Sequence, residues 1–257
     1  MKQVRVDFNR EREWWNAKAP FEESDGGDSV INRLLRWREL ERNLKGIRTI
    51  LDVGGGTGAF SIPLAKRGFK VTHLDISPRM IDIARTKAKG IRNISFVEGN
   101  STDLSRFPSR SFDLVLNMDG AISFCGNRAH DAIRESCRIA RKKLIAAVSN
   151  KGMMAAVVVG ASLAVSGKFM RVVDPVFSAG EWHQDHFPEN KKISKGATQD
   201  YFGAFKVFTP AEFGGLLRKY GMRVKRCASL GSLANFLKED RLKKVMASKK
   251  KSRDEKE

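Results

Sequence analysis

Three acids and a run of glycines hold most of the chemistry in this chain. Asp52 closes the short run Thr49-Ile50-Leu51, and Gly54-Gly55-Gly56-Thr57-Gly58 follows at once. Glycines in that setting let the chain turn sharply, and they let backbone approach a ligand that a Cβ would hold away. Gly54-x-Gly56-x-x-Ala59 also satisfies a dinucleotide fingerprint, so the turn alone leaves the ligand open. Asp52 narrows the choice. A carboxylate there repels a pyrophosphate seated on the following helix N-terminus and favours a ligand carrying positive charge. Asp75 ends a second apolar run, 17 residues after Gly58, where a carboxylate can take both hydroxyls of a ribose. Asp103 sits in the loop after a third run. The side chains able to serve as a base are Asp119, His183, His186 and Tyr201. Cys125 reads as a packed thiol rather than a nucleophile.

These residues need elements to position them. Strands are expected over 49–53, 70–75, 94–98, 112–116 and 143–148, with a further one over 222–228. Helices fall between them. One runs to Lys66 and is closed by Gly68; Ser77-Pro78 caps another that ends near Gly90; a third covers about 128–140. Thr209-Pro210-Ala211-Glu212 opens a last helix with a cap and a proline at its first position. Strands alternating with helices at this spacing predict an α/β fold, a doubly wound, mostly parallel sheet that binds ligands at the carboxyl ends of its strands. Asp113 opens a strand instead of ending one, so it is expected to serve the fold.

A ligand with an ammonium and a sulfonium suits Asp52, and S-adenosylmethionine carries both. Leu51-Asp52-Val53-Gly54-Gly55-Gly56-Thr57-Gly58 resembles the first motif of the class I S-adenosylmethionine-dependent methyltransferases. The segments 71–77, 98–104, 112–116 and 208–213 are similar to further motifs of that family, closest to its broad branch of small-molecule methyltransferases. The resemblance covers roughly residues 47–235. It implies a Rossmann-like methyltransferase fold in which Gly54, Gly56 and Gly58 lie against the methionine part and Asp52 near its ammonium. By the same likeness Asp75 holds the ribose hydroxyls, Ile76 packs on the adenine, Asp103 accepts from its amino group, and Asn117 reaches the cofactor from the fourth strand. Residues 1–48 are expected to form a helical lid, with Trp14-Trp15 covering the ligand or anchoring its helix. Residues 151–205 are expected to be an acceptor-side insertion after the fifth strand, within a domain spanning 49–237. At the sheet's far edge two readings stay open: the family's last strand is absent, or part of 201–208 takes its place.

Composition bounds the partners. The chain has 257 residues, enough for one α/β domain with an added cap, and carries 48 Lys+Arg against 29 Asp+Glu for a net charge of +19. That excess raises the question of a polyanion such as RNA, and Arg134, Arg138 and Arg141 fall at the spacing of one helix face. No base-reading motif accompanies them, so a small-molecule acceptor is the first expectation and an RNA acceptor the alternative. Cys125, Cys137 and Cys227 show no metal-ligand spacing, which argues for no metal and a reducing compartment. No apolar signal core opens the chain, and the apolar run Met153–Val165 is too short to span a bilayer, so a cytoplasmic protein is expected. The segment 238–257 reads as a charged, solvated tail.

Overall fold

The structure, a computed structural model, describes residues 5–22, 27–118, 120–154, 178, 180–182 and 204–229. The chain divides into two compact units, Met1–Pro20 with Ile47–Lys225, and Phe21–Gly46 with Arg226–Glu257. The first unit begins with helix α1 (Phe8–Lys18), whose N-terminus is capped by the Asp7 carboxylate accepting from the Asn9 and Arg10 amides. The second holds helix α2 (Gly27–Glu41). Within that unit Leu40 and Leu44 are buried, and Glu39 pairs with Arg42 and Arg226.

The first unit is built on a five-stranded parallel sheet in the order β3-β2-β1-β4-β5. Its strands are β1 (Thr49–Val53), β2 (Lys70–Asp75), β3 (Ile94–Glu98), β4 (Phe112–Asn117) and β5 (Ala140–Ala146). The order reverses between β1 and β4. That crevice is where an open α/β sheet holds its ligand. Helices α3 (Ser61–Lys66), α4 (Pro78–Lys87) and α5 (Ala129–Ile139) fill three of the four crossovers, and β3 runs to β4 through a loop. The expected α/β, doubly wound, mostly parallel architecture is therefore the observed one. Helix α4 starts as read, with Ser77 accepting from the Met80 amide and proline at the first position.

Alternation along the strands sorts the two faces of the sheet. Leu51, Val53, Leu74 and Val115 pack with Leu104 and Ile139 into one core cluster. Asp52 and His73 fall on the opposite parity. They sit side by side in the β1–β2 register, with Phe96 of β3 next to His73. The β3–β4 connection is tied down by Arg138, whose guanidinium donates to the carbonyls of Leu104 (2.9 Å) and Phe107 (2.9 Å) while pairing with Glu135. Glu135 in turn accepts from the Leu104 amide.

Past β5 the structure differs from expectation. Strand β6 (Glu181–Trp182) pairs antiparallel with β7 (Phe205–Lys206), and a single bridge joins Asn150 to Phe208. Part of 201–208 is thus extended, as a two-residue strand in a separate small sheet. Helix α6 (Pro210–Lys219) opens with the full capping box between Thr209 and Glu212. The strand expected over 222–228 is not there: the backbone is irregular and most of its side chains are exposed. Its alternation suits an edge strand, but no neighbouring strand among the described residues supplies a ladder. Most of the expected insertion, 155–177 and 183–203, lies outside the described residues, as does the tail. Among the described residues no helix is long and apolar enough to cross a membrane.

Candidate functional site

The glycine turn hangs from β2. The amides of Gly54 and Gly55 both donate to the Leu74 carbonyl, at 2.8 and 3.0 Å, and the Gly56 amide donates to Asp75 Oδ2 at 2.9 Å. A Cβ built on each glycine separates their tasks. At Gly54 it would lie 2.5 Å from the Ala121 Cβ, at Gly55 2.4 Å from His73 Nδ1, and at Gly58 2.5 Å from Ile62 Cδ1. Those three let the protein close on itself. Gly56 is different. It has φ +55 and nothing within 4 Å of its Cβ position, so its open side is where a ligand can meet the backbone.

Asp75 is buried at 6% exposure at the tip of β2, its Oδ1 accepting from the Ser77 amide at 2.8 Å. Burial pushes its carboxyl above the usual carboxylate value, against the pull of the Ser77, Gly56 and Ile76 amides. Ile76 follows half-buried. Asp52 is buried under the turn, with Oδ2 accepting from the Ser61 hydroxyl at 2.6 Å. Asn117 ends β4 fully buried. It donates to Ser136 Oγ at 3.3 Å, and its Oδ1 has no partner among the described residues. Asp103 is exposed and bends back on its own loop: its carboxylate accepts from Ser105, which with Arg138 and Arg106 nearby holds it below the usual range. Asn100 stands nearer the tip of β3, its Oδ1 accepting from Thr102. The structure thus brings Asp75, Ile76 and the glycines together and leaves Asp103 facing solvent. Asp119, His183, His186 and Tyr201 lie outside the described residues. Cys125 is a packed thiol at 3.0 Å from both Ser101 Oγ and the Ala121 carbonyl, and burial pushes it up to about 12.

Helix α1 crosses the same edge of the sheet. Asn16 accepts from Ser77 Oγ at 2.7 Å and from the Arg79 amide, Arg12 pairs with Glu98 at the tip of β3, and the Val6 amide donates to Asn127 after β4. Glu11, also buried, accepts from the Ala204 amide at 2.8 Å. Trp14, Trp15, Phe124 and Phe205 stack edge to face or tilted with centroids 4.6 to 5.8 Å apart, so three separate segments share one aromatic wall. Trp14 is buried and anchors the helix, while Trp15 is half-buried. Sequence reading missed Glu11, Asn16, Ser61, His73 and Phe124. Only His73 carried a signal, since its parity in β2 matches that of Asp75.

The residues fit an adenosyl sulfonium. Backbone opens toward a ligand at Gly56, a buried carboxylate stands beside it at a strand tip, and an aromatic wall flanks the cleft. Residues 50–143 match the family model described as a methyltransferase domain. That segment runs from β1 to the start of β5 and supports the expected likeness to the class I S-adenosylmethionine-dependent methyltransferases. Among its relatives, the demethylmenaquinone methyltransferase of Tropheryma whipplei is 43% identical over 83 residues, covering 31% of this chain and 34% of that protein. The human EEF1A lysine methyltransferase 2 is 34% identical over 108 residues, covering 37% and 45%. In fold, the chain is similar to magnesium protoporphyrin IX methyltransferase from Synechocystis, solved with bound SAH, at a TM-score of 0.53 and 18% identity over 86% of this chain and 92% of that one. The chain spans less than half the length of both sequence relatives.

Proposed function

We propose that the protein transfers a methyl group from S-adenosylmethionine to a small-molecule acceptor. The observation that carries this is the Gly56 opening, with Asp75 fixing the turn from below and α1 lying across the strand tips above. Bound there, the cofactor supplies a methyl group on a good leaving group, so the protein's main task is orientation and exclusion of water. Asp75 is placed to accept from the ribose hydroxyls with its remaining lone pairs, and Ile76 to pack on the adenine. The loop of Asn100 and Asp103 borders the adenine side, and Asn117 lies beneath the methionine end. Asp52 acts from under the turn, where its negative charge favours a cation above. Trp15 and Phe124 offer ring surface to an apolar or conjugated acceptor. Asp119, His183, His186 and Tyr201 remain the candidates for a base, needed only if the acceptor holds its proton at neutral pH.

The names of the relatives support a methyl donor site and span quinone, porphyrin and protein acceptors, so they do not choose among them. An RNA acceptor drew on the row of Arg134, Arg138 and Arg141. In the structure Arg134 pairs with Asp131, Arg138 with Glu135 and two carbonyls, and Arg141 with Asp113, so each already has an internal partner. A solvated or structural face accounts for the row. Incubating the protein with methyl-labelled cofactor and fractionated cell extract tests the proposal: label should enter the small-molecule fraction. Label confined to RNA or protein overturns the acceptor class, and failure to bind S-adenosylhomocysteine in calorimetry overturns the donor site itself.

A further inference from the structure

We propose that Asp52, Ser61 and His73 form a buried hydrogen-bond chain that sets the shape of the glycine turn for the cofactor, with His73 as a positioning residue; this rests on reading that turn as the cofactor site. The three residues come from β1, the first position of α3, and β2. Ser61 Oγ donates to Asp52 Oδ2 at 2.6 Å and lies 2.9 Å from His73 Nδ1. Ser61 has one proton, and it goes to the carboxylate. The imidazole must therefore be the donor at Nδ1, which makes the neutral ring an Nδ1–H tautomer with its lone pair on Nε2. Burial keeps that ring neutral, lowering His73 to about 4 against a weaker opposite pull from the Gly56 backbone.

What the chain positions is visible at Gly55. Its Cα rests on the imidazole so closely that a Cβ would lie 2.4 Å from Nδ1 and 2.5 Å from Cε1. Leu74, the next residue of β2, holds the Gly54 and Gly55 amides, and Asp75 holds that of Gly56. A shift of His73 therefore moves the floor under three consecutive glycines, including the one that faces the ligand. Stability alone does not explain a histidine here. Nε2 is buried with no partner among the described residues, and an apolar side chain would bury in a strand interior without that orphaned acceptor. What histidine adds is a donor aimed at Ser61, and through it a fixed orientation for Asp52.

The test is titration of the full-length chain with S-adenosylhomocysteine, alongside thermal melting and imidazole ¹⁵N spectra. Wild type should bind and show His73 as the Nδ1–H tautomer. Ser61→Ala should weaken binding about tenfold, within the range for coupled neighbours in one network, and should shift the His73 Nδ1 resonance. Gly55→Ala should also weaken binding, and the double variant Gly55→Ala/His73→Ala should bind no more weakly than His73→Ala alone. A Ser61→Ala protein that melts lower yet binds as wild type overturns the positioning role, as do additive losses at residues 55 and 73 or an Nε2–H tautomer. If wild type itself fails to bind, the cofactor reading falls and this proposal with it.

Discussion

Asp75→Asn separates what the β2 carboxylate does for the fold from what it does for the ligand. In the structure its two oxygens accept from the Gly56 amide at 2.9 Å and the Ser77 amide at 2.8 Å, at 6% exposure. Asparagine keeps the volume but turns one of those oxygens into an NH₂ facing a backbone donor. The lost charge-assisted hydrogen bond is worth about 1.5–3 kcal/mol. On the other side, burial raises the Asp75 pKa, so the ionised form is less favourable in the folded chain than in the unfolded one. A neutral amide removes that penalty, and the two effects oppose each other in the cofactor-free protein. Its melting temperature should therefore move by only a few degrees, at roughly 2–4 °C per kcal/mol for a chain of this size. Cofactor affinity has no such compensation. Loss of the ribose acceptor should weaken S-adenosylhomocysteine by about 1.5–3 kcal/mol, roughly 10- to 150-fold by calorimetry. The sign of the pH effect follows from the raised pKa. Between the unfolded and folded pKa values the native state binds the extra proton, so wild type should gain stability relative to Asp75→Asn as pH falls through the raised folded pKa toward the ordinary carboxylate value. An Asp75→Asn protein that is folded and binds with wild-type affinity would refute the assignment.

The glycines predict opposite outcomes under one assay. Gly56→Ala adds strain of about 1–2 kcal/mol for its left-handed φ but meets no atom, so it should lose cofactor affinity out of proportion to a small drop in melting temperature. Gly54→Ala, whose Cβ meets Ala121, should mainly lower the melting temperature; equal behaviour of the two would contradict the division drawn here. Asp113 is buried, which raises its pKa, but hydrogen bonds from Arg141, Lys142 and the Arg48 and Thr49 amides overcome that and hold it well below the carboxylate range. Asp113→Ala should cost about 1–3 kcal/mol at pH 7, reduced from a fully buried pair because Arg141 and Lys142 are half-exposed. With a depressed folded pKa the wild-type advantage is complete above the ordinary carboxylate value of about 4 and fades below it, so urea melts that differ as much at pH 3 as at pH 7 would count against the pairing. Asn16→Ala frees the end of α1 from Ser77 and Arg79 and should speed S-adenosylhomocysteine release a few-fold in stopped flow, at about 1 kcal/mol for a lost hydrogen bond; an unchanged rate removes Asn16 from any covering role.

The strands were legible because a parallel sheet buries both faces, and buried strands leave plain apolar runs ending in the acids. Caps were legible too: Ser77-Pro78 and Thr209-Pro210-Ala211-Glu212 are local signals, and the hydrogen bonds that make them are local. Contacts distant in sequence were not. The arginine spacing read as one helix face, but only Arg134 and Arg138 lie on α5 while Arg141 belongs to β5, and nothing in the spacing says that Asp113, Leu104 and Phe107 wait opposite. The same holds at Gly55. Its neighbours suggest a ligand, yet what excludes a side chain there is an imidazole 18 residues further on. Asp103 shows the limit of motif reading. One loop residue decides whether a carboxylate faces a cleft or folds onto Ser105. Residues 222–228 show the matching limit for strands, since alternation specifies a face and cannot supply a partner.

The proposed donor site is concentrated in a short piece of chain. The turn 54–58 is held by Leu74 and Asp75, floored by His73, and joined to α1 through Ser77, so the unit from β1 to α4 supplies most of the contacts that shape it, with Ala121 closing on Gly54 from beyond β4. The family model stops at residue 143, shortly after β5 begins. Helix α1 with its two tryptophans, and Ala204 and Phe205, fall outside the match. They meet each other through Glu11 and through Phe124. Exchange of Trp15 or Phe124 for alanine should accordingly change which acceptor is methylated, or how fast, while leaving S-adenosylhomocysteine affinity within a few-fold of wild type, about 1 kcal/mol or less. A loss of cofactor binding as deep as that expected for Asp75→Asn would mean that the aromatic wall belongs to the donor side, and the acceptor would have to be sought elsewhere in the chain.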